Sequence, residues 1–63
     1  MRVTLVDKNN DEQIIKNVWE IQSNTLNHRR ELQLVGYDHI VKYRDDVRNV
    51  KSISVEFEIE NIK

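Results

Sequence analysis

The chain has 63 residues and a formal net charge of −1, with ten basic and eleven acidic side chains. This length predicts a single small domain over residues 1–63. Its core is expected to be small, because a chain of this length buries only about 60% of the surface that its unfolded form exposes. The absence of cysteine excludes disulfides and thiolate metal sites, and the near-neutral charge gives no overall attraction to nucleic acid or anionic lipid. We expect no cofactor and no metal.

The sequence predicts a cytoplasmic protein. No apolar run approaches the length of about 20 residues that spans a bilayer, and the first residues lack the apolar stretch of a secretory signal.

The first predicted strand covers residues 2–7, with Val3 and Leu5 on one face and β-branched neighbours between them. A polar turn follows at residues 8–11, because asparagine tolerates the left-handed conformation that tight hairpins need.

Residues 12–22 are compatible with either a helix or a strand. In a helix one face would carry Ile14, Ile15, Val18, Trp19 and Gln22, and Asn9 with Glu12 would imitate a capping box. In a strand Ile15, Trp19 and Ile21 alternate inward, and Val18 lies on the other side. We favour the strand because Val, Ile and Trp dominate the apolar positions and a hairpin turn precedes them.

The next segment, residues 23–28, is polar and is predicted to be a flexible loop. Residues 30–35 alternate again and are predicted to form a third strand, with Leu32 and Leu34 facing inward.

A turn is expected at residues 36–38. Gly36 is the only glycine of the chain, which suggests a backbone position where a Cβ would be costly. Residues 39–44 form the fourth predicted strand, with Val41 and Tyr43 sharing a face.

Residues 45–50 break the alternation. We expect Asp45 to cap a single helical turn there, and Val47 and Val50, at spacing i, i+3, to pack under one end of a barrel.

The last predicted strand, residues 52–60, has the most regular alternation in the chain. Its odd positions are predicted to line the core; these are Ile53, Val55, Phe57 and Ile59. Its even positions then form an outward acidic row of Glu56, Glu58 and Glu60.

Together these elements predict a mainly β fold, a small five-stranded SH3-like or Sm-like barrel or a curled antiparallel sheet, with one short helical turn before the last strand. The apolar spacing of residues 17–21 (NVWEI), 32–34 (LQL) and 47–55 (V-x-x-V-x-x-I-x-V) resembles small accessory proteins encoded by phages of Gram-positive bacteria. That resemblance implies a class of mostly uncharacterised small proteins, some of which bind and inhibit host or defence proteins, anti-CRISPR proteins among them. A member of this class would act in the host cytoplasm. The resemblance implies no functional residue.

Single polar residues give weak functional signals. His28, in the predicted loop beside two arginines, would fit a phosphate-binding patch or an ordinary exposed histidine, and His39 has no second ligand nearby in the sequence. Asp45 and Asp46 would contribute oxygen to a hard cation, but such sites usually have more ligands, so a helix cap is the better interpretation.

Two larger groups are candidates for a binding surface. Three aromatic residues, Trp19, Tyr37 and Tyr43, would stack on bases if exposed, although Trp19 and Phe57 are predicted to be core residues. A basic group comprises Arg29, Arg30, Lys42, Arg44, Arg48 and Lys51. It is a possible phosphate-binding surface, but interleaved carboxylates favour a mixed, solvated face.

The sequence therefore favours a non-enzymatic protein-binding module. A Gly-rich phosphate loop is excluded because the chain has only one glycine. The sequence also has no serine or histidine in a nucleophile motif. The acidic row would contact a larger protein with a basic surface, such as a nucleic-acid channel, and unpaired strand edges predict a homodimer. The alternative is a small nucleic-acid-binding barrel that uses the basic group.

Overall fold

A computed structural model describes residues 1–57. Its elements are the strands β1 (Arg2–Asp7), β2 (Glu12–Ile15), β3 (Val18–Leu26), β4 (Arg29–Gly36), β5 (Val41–Asp46) and β6 (Val50–Glu56), and a 3-10 turn at Val47–Asn49. The mainly β fold and the helical turn before the last strand are confirmed. Among these residues no helix is long and apolar enough to cross a membrane.

The strands form two antiparallel sheets of three strands each, in the order β2-β1-β6 (sheet A) and β3-β4-β5 (sheet B). The chain passes from sheet A to sheet B at Asn17, whose φ is 59°, and returns through the 3-10 turn. Two backbone hydrogen bonds of 2.7 and 2.9 Å join Met1 to Val18 between the sheets. The described strands thus form two sheets and no closed barrel, since no continuous ladder links all of them.

The core lies between the sheets. Its buried members are Val3, Leu5, Ile15, Val18, Leu32 and Leu34, and partly buried residues that pack against them include Ile21, Tyr43, Val47 and Val50. The inward positions predicted for β1 and β4 are confirmed. Val47, the first residue of the 3-10 turn, and Val50, which follows the turn, pack against this core and not under the end of a closed barrel.

Residues 12–22 are strand, as favoured, but they divide into β2 and the start of β3. The assignment of faces was wrong at Val18, which is fully buried, and at Trp19, which is 56% exposed. Val18 lies opposite Gly36 and Glu20 opposite Val35, so Trp19 is the extra residue of a β-bulge. A bulge shifts the alternation by one residue, so Val18 and Trp19 exchange their predicted faces, whereas Ile15 and Ile21 face the core as predicted.

A second bulge changes the assignment of faces in the fourth predicted strand, which corresponds to β5. Tyr43 lies opposite Leu34 but Val41 lies opposite Val35, so Val41 and Tyr43 are on different faces and Val41 is exposed. A Cβ at Gly36 would be costly, as predicted, because it would lie 2.9 Å from Oδ1 of Asp38. The cause is this crowding and not the backbone conformation, since Gly36 does not have a positive φ.

The predicted loop at residues 23–28 is wrong. β3 continues to Leu26, which pairs with Arg29, so only Asn27 and His28 form the turn. Their φ values of 51° and 65° are those of a two-residue type I′ hairpin, which Asn favours. The turn predicted at residues 8–11 is confirmed, with Asn10 at φ 66°.

The predicted burial of the last strand is also wrong. Ile53 and Val55 are 40% and 38% exposed, and Phe57 is 73% exposed. β6 is an edge strand that pairs only with β1 among the described strands, so its apolar face lacks cover. Ile59 lies outside the described residues.

Candidate functional site

The apolar face of β6 is the first candidate surface. Ile53 lies opposite Leu5 and Val55 opposite Val3, and residues directly opposite in an antiparallel pair share a face. The two β6 side chains therefore point to the same side as the buried core of sheet A, yet more than a third of each is exposed. An edge strand also presents backbone N–H and C=O groups to a further strand.

The opposite face of β6 is polar. Ser52, Ser54 and Glu56 alternate there, and Glu56 forms an ion pair with Arg2 across the β1–β6 ladder. Of the predicted acidic row, Glu58 and Glu60 lie outside the described residues. The binding role of the row stays a prediction.

The second candidate surface is a groove of about 630 Å³ at one end of sheet B, which we call the cationic groove. It is formed by the start of β4, the end of β5, the 3-10 turn and the β1–β2 turn. Its cations are Lys8, Arg29, Arg30, Arg44 and Arg48, and its carboxylates are those of Glu31, Asp45 and Asp46. Five cations against three carboxylates leave a net charge of +2, in a chain whose formal charge is −1.

Ion pairs neutralise part of the cationic groove. Nη2 of Arg44 lies 2.8 Å from Oε1 of Glu31, and Nη2 of Arg48 lies 2.9 Å from Oδ2 of Asp46. Hydrogen bonds from Arg48 lower the pKa of Asp46 to about 2. Hydrogen bonds from Arg44 and then Gln33 lower the pKa of Glu31.

The remaining cations of the groove are Lys8, Arg29 and Arg30. Within residues 1–57 no carboxylate lies at ion-pair distance from any of them. Arg29 is nevertheless close enough to Glu31 and Asp46 that its charge contributes to lowering both carboxyl pKa values.

The structure separates Lys42 from the rest of the predicted basic group. Its Nζ donates a 2.6 Å hydrogen bond to the backbone oxygen of Lys16, and it does not line the groove. Lys51 likewise points elsewhere, donating from Nζ to Oδ1 of Asn10 at 2.7 Å. Arg29, Arg30, Arg44 and Arg48 are brought together.

The two histidines occupy turns. His28 is at the exposed tip of the β3–β4 hairpin, and His39 lies between β4 and β5 with a φ of 67°. Both left-handed conformations give these residues a structural role in chain reversal. The part of the chain that the structure describes holds no group of three or more metal-ligating side chains.

The cap of the 3-10 turn is Asp46 and not Asp45. Oδ1 of Asp46 accepts a 2.8 Å hydrogen bond from the backbone N–H of Arg48. Asp45 accepts from the backbone N–H of Asp46 and from Nδ2 of Asn49, at 2.7 and 2.9 Å. Both carboxylates therefore organise the wall of the cationic groove.

Trp19 and Tyr37 form an exposed aromatic pair, with ring centroids 5.4 Å apart and planes at 49°. The pair lies at the Gly36 end of β4, whereas the groove lies at the Arg29 end. Eight residues of extended strand at about 3.3 Å each separate the two sites by roughly 25 Å. Tyr43, the third aromatic candidate, is half-buried against the core.

Sequence reasoning missed Lys8, because its position in the groove depends on how the two sheets meet. A backbone hydrogen bond of 3.1 Å from the N–H of Lys8 to the oxygen of Asn49 holds the β1–β2 turn against the 3-10 turn. No local pattern predicts that contact. A comparison of the chain with protein-family models, curated proteins and solved structures finds no match.

Proposed function

We propose that this protein is a non-enzymatic protein-binding module whose contact strand is β6. The observation that supports this proposal is the half-exposed apolar face of β6, continuous with the buried face of β1. A partner segment added to this edge would extend sheet A by one strand, a recurring mode of peptide recognition.

The energetics favour a strand as the bound element. The edge of β6 that faces away from β1, which no described strand pairs with, supplies main-chain hydrogen bonds. Ile53, Val55 and Phe57 supply apolar area at every second position. Burying apolar surface contributes about 25 cal/mol per Å². The backbone therefore contributes affinity, and the alternating side chains select the partner's sequence.

The partner class in this proposal is a larger protein with a basic surface beside its docking segment. The polar face of β6 carries Glu56, and the sequence continues with Glu58 and Glu60, so a basic surface would complement it. The resemblance to phage accessory proteins makes an inhibitor of a host or defence protein, acting in the cytoplasm, the form of this function that we propose.

We also propose that β6 pairs with a second copy of the chain when no partner is present. In an antiparallel register with Ser54 opposite Ser54 of the second copy, Ile53 lies opposite Val55 of the second copy. Ser52 then lies opposite Glu56 of the second copy. Apolar residues then meet on one face, and no like charges are directly opposed. Because dimer and complex use the same edge, binding of the partner would displace the second copy.

The test is a pair of matched variants. Ile53→Lys places a charge on the docking face of β6, whereas Ile14→Lys makes the same change on β2, the other edge of sheet A, where Ile14 is also exposed. Each tagged variant is used to capture proteins from a bacterial lysate and is sized by light scattering. We expect Ile53→Lys to lose both the captured partner and the dimer, and Ile14→Lys to keep them. Retention of both by Ile53→Lys would refute the proposal.

A further inference from the structure

We propose that the cationic groove binds the phosphate backbone of duplex nucleic acid, as a second binding site separate from β6. No residue of Val50–Glu56 lines the groove, so the two sites are built from different residues. The groove concentrates cations in a chain that is otherwise net acidic.

Phosphate is the ligand group that suits these side chains. Lys8, Arg29 and Arg30 have no ion-pair partner among residues 1–57, and arginine presents a planar fork of donors that matches phosphate oxygens. The ion pairs of Arg44 and Arg48 occupy Glu31 and Asp46, which reduces the repulsion that these carboxylates would exert on an incoming anion.

The composition of the wall disfavours other ligands. Every residue among 1–57 that lines the groove is charged or is asparagine, whereas small-molecule pockets are mostly apolar and protein interfaces have apolar or aromatic centres. Single-stranded nucleic acid is usually held by stacking on aromatic side chains, and no aromatic side chain of the described residues lines the groove. A duplex, which presents phosphates and keeps its bases stacked inside, fits best.

The binding should be weak, independent of sequence and sensitive to salt. With about three phosphate contacts, one for each groove cation that has no ion-pair partner among residues 1–57, the slope of log K against log salt is about −2.7. Affinity should then fall roughly 40-fold between 50 and 200 mM salt. Contacts to phosphate position a protein on a duplex without reading its sequence.

The experiment measures fluorescence anisotropy of a labelled 20-base-pair DNA duplex of arbitrary sequence, and of one of its strands alone, across that salt range. The test variant is Arg29→Glu with Arg30→Glu, and the control is Lys16→Glu with Lys42→Glu, which changes the net charge equally outside the groove. All four positions are exposed. If charge reversal prevents folding, Arg29→Gln with Arg30→Gln replaces it, and Lys16→Gln with Lys42→Gln becomes the control of equal charge.

We expect the parent and the control to bind the duplex with a steep salt dependence, and the test variant to bind at least about tenfold more weakly, with a flatter slope. Equal losses in both variants would show that only net charge matters and would overturn the proposal. So would a preference for the single strand, or no binding at low salt. Ile53→Lys should still bind the duplex with a steep salt dependence even though it loses the partner and the dimer, so failure of the β6 proposal and failure of this one are distinguishable.

Discussion

β4 and β6 have the same alternation of apolar and polar residues, but their apolar side chains differ in burial. Leu32 and Leu34 in β4 are buried, while Ile53 and Val55 in β6 are more than a third exposed. β4 is the central strand of sheet B, with β3 and β5 on either side, whereas β6 pairs only with β1 among the described strands. Alternation therefore determines the face of a side chain, and the strand's neighbours determine whether that face is covered.

The largest expected effect is at the centre of sheet B. Leu34 is fully buried, and truncating such a leucine removes its transfer free energy and leaves a cavity, so Leu34→Ala should lower the free energy of unfolding by about 2–5 kcal/mol. Urea denaturation measures the change. Val55→Ala, at the equivalent inward position of β6, is the control and should cost less than about 1 kcal/mol; equal losses would remove the distinction between the strands.

The β3–β4 turn should show the next largest effect. Asn27 has a φ of 51°, a left-handed conformation that a β-branched residue adopts only at a cost. Asn27→Val should therefore destabilise the protein by about 1–2 kcal/mol. Asn24→Val makes the same change inside β3, where valine is favoured; a loss as large there would mean that the turn is not the cause.

A smaller effect is expected at Phe57. Because this side chain is 73% exposed, Phe57→Ala should change the free energy of unfolding by only about 0.5 kcal/mol, in contrast to the large loss that a core position would give. Its larger consequence should be weaker partner binding or dimerisation through β6. Thermal melting of a dilute sample measures the change in stability. Loss of the folded state in Phe57→Ala would show that Phe57 is a core residue.

The smallest effect concerns pH. The pKa of Asp46 is lowered from 3.8 to about 2, first by the side-chain and then by the backbone hydrogen bond from Arg48. A lowered folded-state pKa stabilises the protein above pH 3.8, and this contribution is lost as the pH falls towards 2. The melting temperature of Asp46→Asn should lie below that of the parent at neutral pH and approach it in this acidic window. A constant difference would contradict the role of the carboxylate charge.

Local patterns predicted those parts of the fold that depend on neighbours in sequence. The bounds of β1, the inward leucines of β4 and the left-handed asparagine of the β1–β2 turn follow from alternation and turn chemistry. The bulges at Trp19 and Lys42 were not predictable, because an extra residue in a strand has no distinct sequence signature.

The candidate surfaces were predictable only in part. The sequence identified the arginines of the cationic groove but included Lys42, whose Nζ bonds to the oxygen of Lys16, and omitted Lys8, which reaches the groove through contact between the sheets. It identified the apolar row of β6 but placed it in the core, since strand order is a long-range property.

Amide hydrogen exchange followed by NMR tests the contrast between β4 and β6 most directly, in a sample dilute enough that light scattering gives the monomer mass of 7.6 kDa. We expect the amides of Leu32 and Leu34 to exchange only through global unfolding, and alternate amides of β6, those that face away from β1, to exchange rapidly. Uniformly strong protection along β6 in the monomer would show that another element covers this edge, and would contradict its assignment as a docking strand.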